Sequence, residues 1–140
     1  MTGHFLLDEL KLVLGRSGVS ARRRSDGRVS VLYRGRYRLD AYGLPGGRLV
    51  LEVPLAQLPT GAPARSAILE RALQVSTAQM RIRHDALCLL PGGTDLVLQC
   101  ELSPPMELLA LEDAFTAFLD AIDYWTAALT DPHVWPWLKP

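Results

Sequence analysis

The stretch Ala86–Leu102, ALCLLPGGTDLVLQCEL, decides how the chain is read. Pro91-Gly92-Gly93 is a turn signal between two apolar runs, so the runs are expected to fold back on each other as an antiparallel hairpin. With Gly92 and Gly93 at the turn, Cys88 opposes Val97 and Cys100 opposes Asp85. Leu87 and Leu89 then share a face with Leu96 and Leu98. The two strands are expected at about Met80 to Leu90 and Asp95 to Leu102. Cys88 and Cys100 fall three rows apart on opposite faces, roughly 10 Å at the ~3.3 Å rise of a strand. That exceeds the ~7 Å Cα limit of a disulfide, so free, buried thiols and a reducing compartment are expected.

Downstream, Ser103-Pro104-Pro105 breaks the strand and opens a helix over about Glu107 to Leu129. Its apolar stripe is Leu108, Leu111, Phe115, Phe118, Leu119, Ile122, Trp125 and Leu129, with Glu112, Asp113, Asp120 and Asp123 mostly outside it. Such a helix is built to lie on a sheet. The tail 131–140, DPHVWPWLKP, is too Pro-rich for structure of its own. Trp135 and Trp137 are expected to pack on the body or on a partner.

Upstream, Ala64 to about Thr77 reads as a second helix, with Pro63 in its first turn. Before it come three strands. Val29, Val31 and Tyr33 alternate on the first, and Gly35 suits a tight reversal. Tyr37, Leu39 and Ala41 line one side of the second, Arg36, Arg38 and Asp40 the other. A Gly- and Pro-rich turn leads to the third, with Leu49, Leu51, Val53 and Leu55 aligned. The basic segment RSGVSARRRSDGR is aperiodic and reads as a loop. Phe5 to Leu14 forms the opening helix, with Leu6, Leu10, Val13 and Leu14 at helical spacing and Gly15 as its cap. Phe5 and Leu12 widen that stripe beyond one core contact. The expected order is therefore α-β-β-β-α-β-β-α, an α+β sandwich of helices on a twisted antiparallel sheet.

At 140 residues, 49% apolar and 21% charged, the chain fits one globular domain. No apolar run approaches the roughly 20 residues that span a bilayer. The start has acids inside its apolar stretch and no basic n-region, which does not match a signal peptide and points to the cytoplasm. Net charge is zero but split: all the Lys and Arg except Lys139 lie within the first 85 residues, while the last 55 are acidic. Such a layout can steer a partner.

Catalytic constellations are thin. His4, His84 and His133 match no metal-ligand spacing, and there is no phosphate loop and no nucleophile elbow. No enzymatic activity, metal or cofactor is expected. Arg22, Arg23, Arg24, Arg28, Arg34, Arg36 and Arg38 cluster with Tyr33 and Tyr37 between them, which admits an RNA-binding reading. The tyrosines share a face with Val31 and Leu39, however, and the zero net charge disfavours nucleic acid as a partner. What remains is protein binding, since a sheet edge can accept an extended peptide while apolar pockets select it.

The opening helix FLLDELKLVLG, the strands VSVLYRGRYRLDAYG and LVLEVPLAQLP, the hairpin, and the final LEDAFTAFLDAIDYWTAAL together resemble the class I type III secretion chaperones, the CesT-like (Tir chaperone) family. The resemblance runs over nearly the whole chain. It implies a cytoplasmic homodimer that binds the N-terminal segment of a secreted effector in extended form and keeps it soluble for export. It places dimerisation on the second helix and the next strand, at Ile68, Leu69, Ala72, Leu73 and Val75 with Ile82, Leu87 and Leu89. It places effector binding at Phe5, Leu12, Val31, Leu39, Leu49 and Leu51. The family is commonly acidic, whereas this chain is neutral and Arg-rich near its start. A regulatory module of the same fold, binding a folded partner, is the alternative.

Overall fold

Among the described residues the chain forms three helices and six strands. The computed structural model describes residues 5–16, 21–58, 61–79, 85–89 and 95–130. Along the chain lie α1 (Phe5–Arg16), β1 (Ala21–Arg23), β2 (Val29–Tyr33), β3 (Tyr37–Leu44), β4 (Arg48–Gln57), α2 (Ala62–Gln79), β5 (Asp85–Leu89), β6 (Asp95–Leu102) and α3 (Leu108–Thr130). The strands form one antiparallel sheet in the order β1-β2-β3-β4-β6-β5.

The hairpin that opened the reading has the expected register. Cys88 faces Val97, Cys100 faces Asp85, and Leu87 and Leu89 face Leu98 and Leu96. Cys100 is a free, buried thiol. Of β5 the backbone alone is described, so the Cys88 side chain lies outside the described residues, as do His4, His84, His133, Trp135 and Trp137. The expected first hairpin strand contains β5, and its residues 80–84 and 90 lie outside the described residues.

One expectation is corrected. The basic segment taken as a loop contains β1, which pairs Ala21, Arg22 and Arg23 with Val31, Ser30 and Val29. All three β1 residues are exposed, so no burial pattern marks them in the sequence. Backbone pairing alone makes this strand. A turn follows in which the Arg24 amide donates to the Arg28 carbonyl at 2.7 Å, the Asp26 carboxylate accepts from the Arg28 amide at 3.1 Å, and Gly27 takes a positive φ of 88°. Asp and Gly are the residues such a turn favours.

The core lies on one sheet face. Val29, Val31, Tyr37, Leu39, Ala41, Leu49, Leu51, Val53, Leu98, Cys100 and Leu102 point into it. Leu6, Leu7, Leu10, Val13 and Leu14 of α1 cover them, together with Leu111, Phe115, Phe118, Ala121, Ile122 and Trp125 of α3. Both helices therefore pack on the same face, with α3 presenting the stripe read from sequence. A second, smaller cluster joins Ile68 of α2 to Leu58 and Leu96, with Leu55 shared between the two. Leu55 sits where the β4–β6 register slips between Pro54 and Ala56.

Candidate functional site

Alternation sends the even-numbered residues of β2, β3 and β4 to the opposite sheet face, where Ser30, Arg38, Asp40, Arg48 and Glu52 stand with the apolar Leu32 and Val50. Ser30, Asp40, Glu52 and Gln99 form one rung across β2, β3, β4 and β6. Asp40 is only 5% exposed. It accepts from the Ser30 hydroxyl at 2.6 Å and lies 3.3 Å from the Arg24 guanidinium. Arg28 reaches both Glu52, at 3.5 Å, and Asp40, at 3.9 Å, and stacks over Tyr42 at 4.3 Å. The Gln99 amide donates to the other Glu52 oxygen. Two carboxylates opposed on neighbouring strands would repel. The Arg24–Arg28 turn is folded over them and supplies the countercharge.

A second charge contact ties the β2–β3 turn to α3. Arg34 donates through Nε and a terminal nitrogen to both oxygens of Asp123, each at 2.9 Å, and the Tyr33 hydroxyl donates to the same carboxylate at 2.9 Å. This planar fork is the strong form of an ion pair. The hydrogen bonds from Arg34 hold the Asp123 carboxyl below its usual range, while burial and then the Asp123 carboxylate push the Tyr33 phenol up. The fork needs Arg34 at a left-handed φ of 54°, beside Gly35 at 62°. Arg48 likewise pairs with Glu101 at 2.6 Å. The basic first part of the chain and the acidic last part thus meet in Arg34–Asp123 and Arg48–Glu101.

These contacts change what the basic cluster can do. Arg24, Arg28, Arg34 and Arg38 each have a carboxylate within 4 Å. Tyr37 is buried in the core and Tyr33 packs against it. Arg22, Arg23 and Arg36 of the same cluster have no ion-pair partner among the described residues. Among the described residues no three His, Cys, Asp or Glu gather as a metal-ligand set.

The residues chosen for partner binding separate into two groups. Val31, Leu39, Leu49 and Leu51 are core residues beneath α1 and α3, 3% exposed at most. Their expected place on an accessible groove is corrected by this burial: both amphipathic helices close over the sheet face that carries them. Leu12 is the opposite case, 59% exposed on the outer side of α1. The Phe5 side chain lies outside the described residues. Of the residues assigned to a dimer seam, Ile68 and Ala72 are buried within the chain itself, and Leu69 packs at the edge of the second cluster. Leu73, Val75, Leu87 and Leu89 are placed on α2 and β5 by backbone alone, and Ile82 lies outside the described residues.

Sequence reasoning missed a recess between α1 and β1. Lys11, Leu14 and Gly15 of α1, Ala21 and Arg23 of β1, and Val29 of β2 line a hollow of about 330 Å³ at the β1 edge of the sheet. It was invisible because β1 itself was read as loop. Two other large apolar side chains stand in solvent, Leu32 on the polar sheet face and Leu109 on the first turn of α3.

The model of the Tir chaperone protein (CesT) family matches residues 6–126, from α1 nearly to the end of α3. The chain belongs to this family. Solved structures share the CesT-type fold at low identity. The crystal structure of the ExsC–ExsE complex superposes with a TM-score of 0.68 at 18% identity, covering 91% of this chain and 95% of that one. The HopA1–SchA chaperone–effector complex gives 0.64 at 14%, covering 90% and 96%. The heterodimeric complex ExoU–SpcU from the type III secretion system of Pseudomonas aeruginosa gives 0.61 at 20%, covering 86% and 97%. A search of the curated proteins gives no match. No helix among the described residues of this CesT-family chain is long and apolar enough to cross a membrane.

Proposed function

We propose that this CesT-family protein is a cytoplasmic chaperone of type III secretion that works as a homodimer. It holds the N-terminal segment of a secreted effector in extended form, soluble and ready for export, and does no chemistry on it. The observation that carries this reading is the family match over residues 6–126, which takes in all six strands, α2 and nearly all of α1 and α3. The likeness in fold to a chaperone–effector complex supports it.

The physics of the task agrees with the surface. Ordering an unfolded residue costs roughly 1–2 kcal/mol of backbone entropy, and apolar burial returns about 25 cal/mol per Å². Each ordered residue therefore needs about 40–80 Å² of apolar contact, or help from strand pairing. Nothing among the described residues pairs with the outer edge of β1, and the recess lies beside it. This edge suits an added strand with an anchored side chain. A dimer doubles the track and raises the effective concentration of the second half. The seam is assigned to α2 and β5, at the other end of the sheet, which leaves the β1 edge of each protomer open.

The test is co-purification from the native organism, followed by protease mapping. A protected N-terminal stretch of a secreted protein, bound to two copies of the chain, is expected. Capture of a folded domain with no protected extended segment would overturn the reading.

A further inference from the structure

The two arginines of β1 face opposite ways. Arg22 pairs with Ser30 and shares the polar sheet face, whereas Arg23 pairs with Val29 and turns toward α1. Arg23 therefore lines the 330 Å³ recess together with Lys11. The apolar Leu14, Ala21 and Val29 line it beside them, and no acid does so among the described residues. Neither Arg22 nor Arg23 has an ion-pair partner among the described residues, in contrast to Arg24, Arg28, Arg34 and Arg38. Lys11 touches Asp8 one turn back, at 3.4 Å on an exposed surface, where such a pair is weak.

We infer that this recess selects an acidic side chain: the extended segment bound along β1 presents an Asp or Glu carboxylate to Arg23 and Lys11, beside an apolar residue seated on Leu14 and Val29. The inference rests on the chaperone reading and adds the chemistry of its partner. Charge complementarity carries it. Cations on an edge strand serve commonly to keep other strands away, and Arg22, facing the polar side, fits that use. Arg23 differs because it lines a recess with apolar side chains, and a guanidinium beside apolar side chains suits an amphipathic ligand. The C-terminal end of α1 brings a negative pole of about half a charge, which opposes an anion. Lys11, Arg23 and the exposed Arg16 of the last turn outweigh it. In an extended strand alternate side chains point the same way, so the carboxylate and its apolar companion are expected two positions apart.

A library of random peptides displayed on phage, selected against the full-length chain, tests this. Parallel selections use Arg23→Glu, Lys11→Glu and, as a control on the other face, Arg22→Glu. The wild type is expected to enrich peptides with an acid two positions from an apolar residue. Arg23→Glu and Lys11→Glu are expected to exchange that acid for Lys or Arg, while Arg22→Glu keeps it. For a selected peptide, replacing the acid by its amide is expected to weaken binding about tenfold, the scale of one charge-assisted hydrogen bond. Arg23→Ala and Lys11→Gln, which remove charge without reversing it, should abolish that difference while the thermal midpoint stays at the wild-type value. Apolar peptides enriched without an acid, or the same consensus on all variants, would overturn the acidic anchor and leave the chaperone reading standing. Displacement of the peptide by a single-stranded oligonucleotide, dependent on Arg23, would assign the recess to phosphate and also overturn it. Failure to enrich any peptide over an unrelated protein would remove both readings together.

Discussion

Asp40 shows how a single side chain can decide the character of a surface. It is nearly buried, shares its rung with Glu52, and is held by Ser30 and by arginines from the Arg24–Arg28 turn. Removing both Arg24 and Arg28 by Ala would leave two facing carboxylates with only Arg38 nearby, at 3.7 Å. Breaking a partly buried pair in this way should destabilise the fold by about 2 kcal/mol, measured by urea unfolding. A change below a few tenths would mean that solvent already screens the rung. Asp123 gives a second, pH-dependent expectation. Its carboxyl is held low by Arg34, so the pair stabilises the fold above the unfolded carboxylate pKa of about 3.9 and its contribution is lost as pH falls through the lower folded value. Asp123→Asn should therefore be less stable than wild type at neutral pH, by at most about 1 kcal/mol for so exposed a pair. The two proteins should converge in acid, below both values. A gap that persists unchanged in acid would show that Asp123 acts by packing and not by charge.

How far the elements could be read depended on what each leaves in the residue pattern. The hairpin register followed from Pro91-Gly92-Gly93 and period-two leucines, and the α3 stripe from Leu111 to Trp125, because burial imposes a period on both. β1 left no such trace, since an exposed edge strand has no face to bury and Arg22 and Arg23 satisfy its surroundings. The same limit explains Val31, Leu39, Leu49 and Leu51. A one-sided strand announces that one face is covered, but not whether a partner or the chain's own helices cover it. Here α1 and α3 cover it. Leu51→Asp should accordingly prevent folding rather than selectively abolish partner binding, as an unpaired charge in a packed core costs several kcal/mol. Leu12→Asp, on exposed α1 surface, should leave the thermal midpoint within a degree or so and weaken effector capture. Circular dichroism with a pull-down separates the two. A folded, non-binding Leu51→Asp would restore the sheet face as the docking groove.

Taken together, charge and grease are arranged by position in the sheet. Arg24, Arg28 and Arg38 pair with acids of the sheet and Arg34 pairs with Asp123 of the last helix, whereas Arg22 and Arg23 have no ion-pair partner among the described residues. Dimerisation at α2 and β5 would keep the β1 edges apart and outward, one per protomer. Leu73→Asp on α2 is expected to give monomers by light scattering at micromolar concentration; a variant that remains dimeric would move the seam elsewhere. On this proposal a partner meets the recess and Arg23 at each β1 edge. The decisive measurement is hydrogen exchange on the complex purified from the native organism, read on both proteins. Slowed exchange along one continuous N-terminal stretch of the effector, matched by protection of α1 and β1 in both protomers, is the expected result. Protection confined to a folded effector domain, with β1 exchanging as in the free chain, would contradict it.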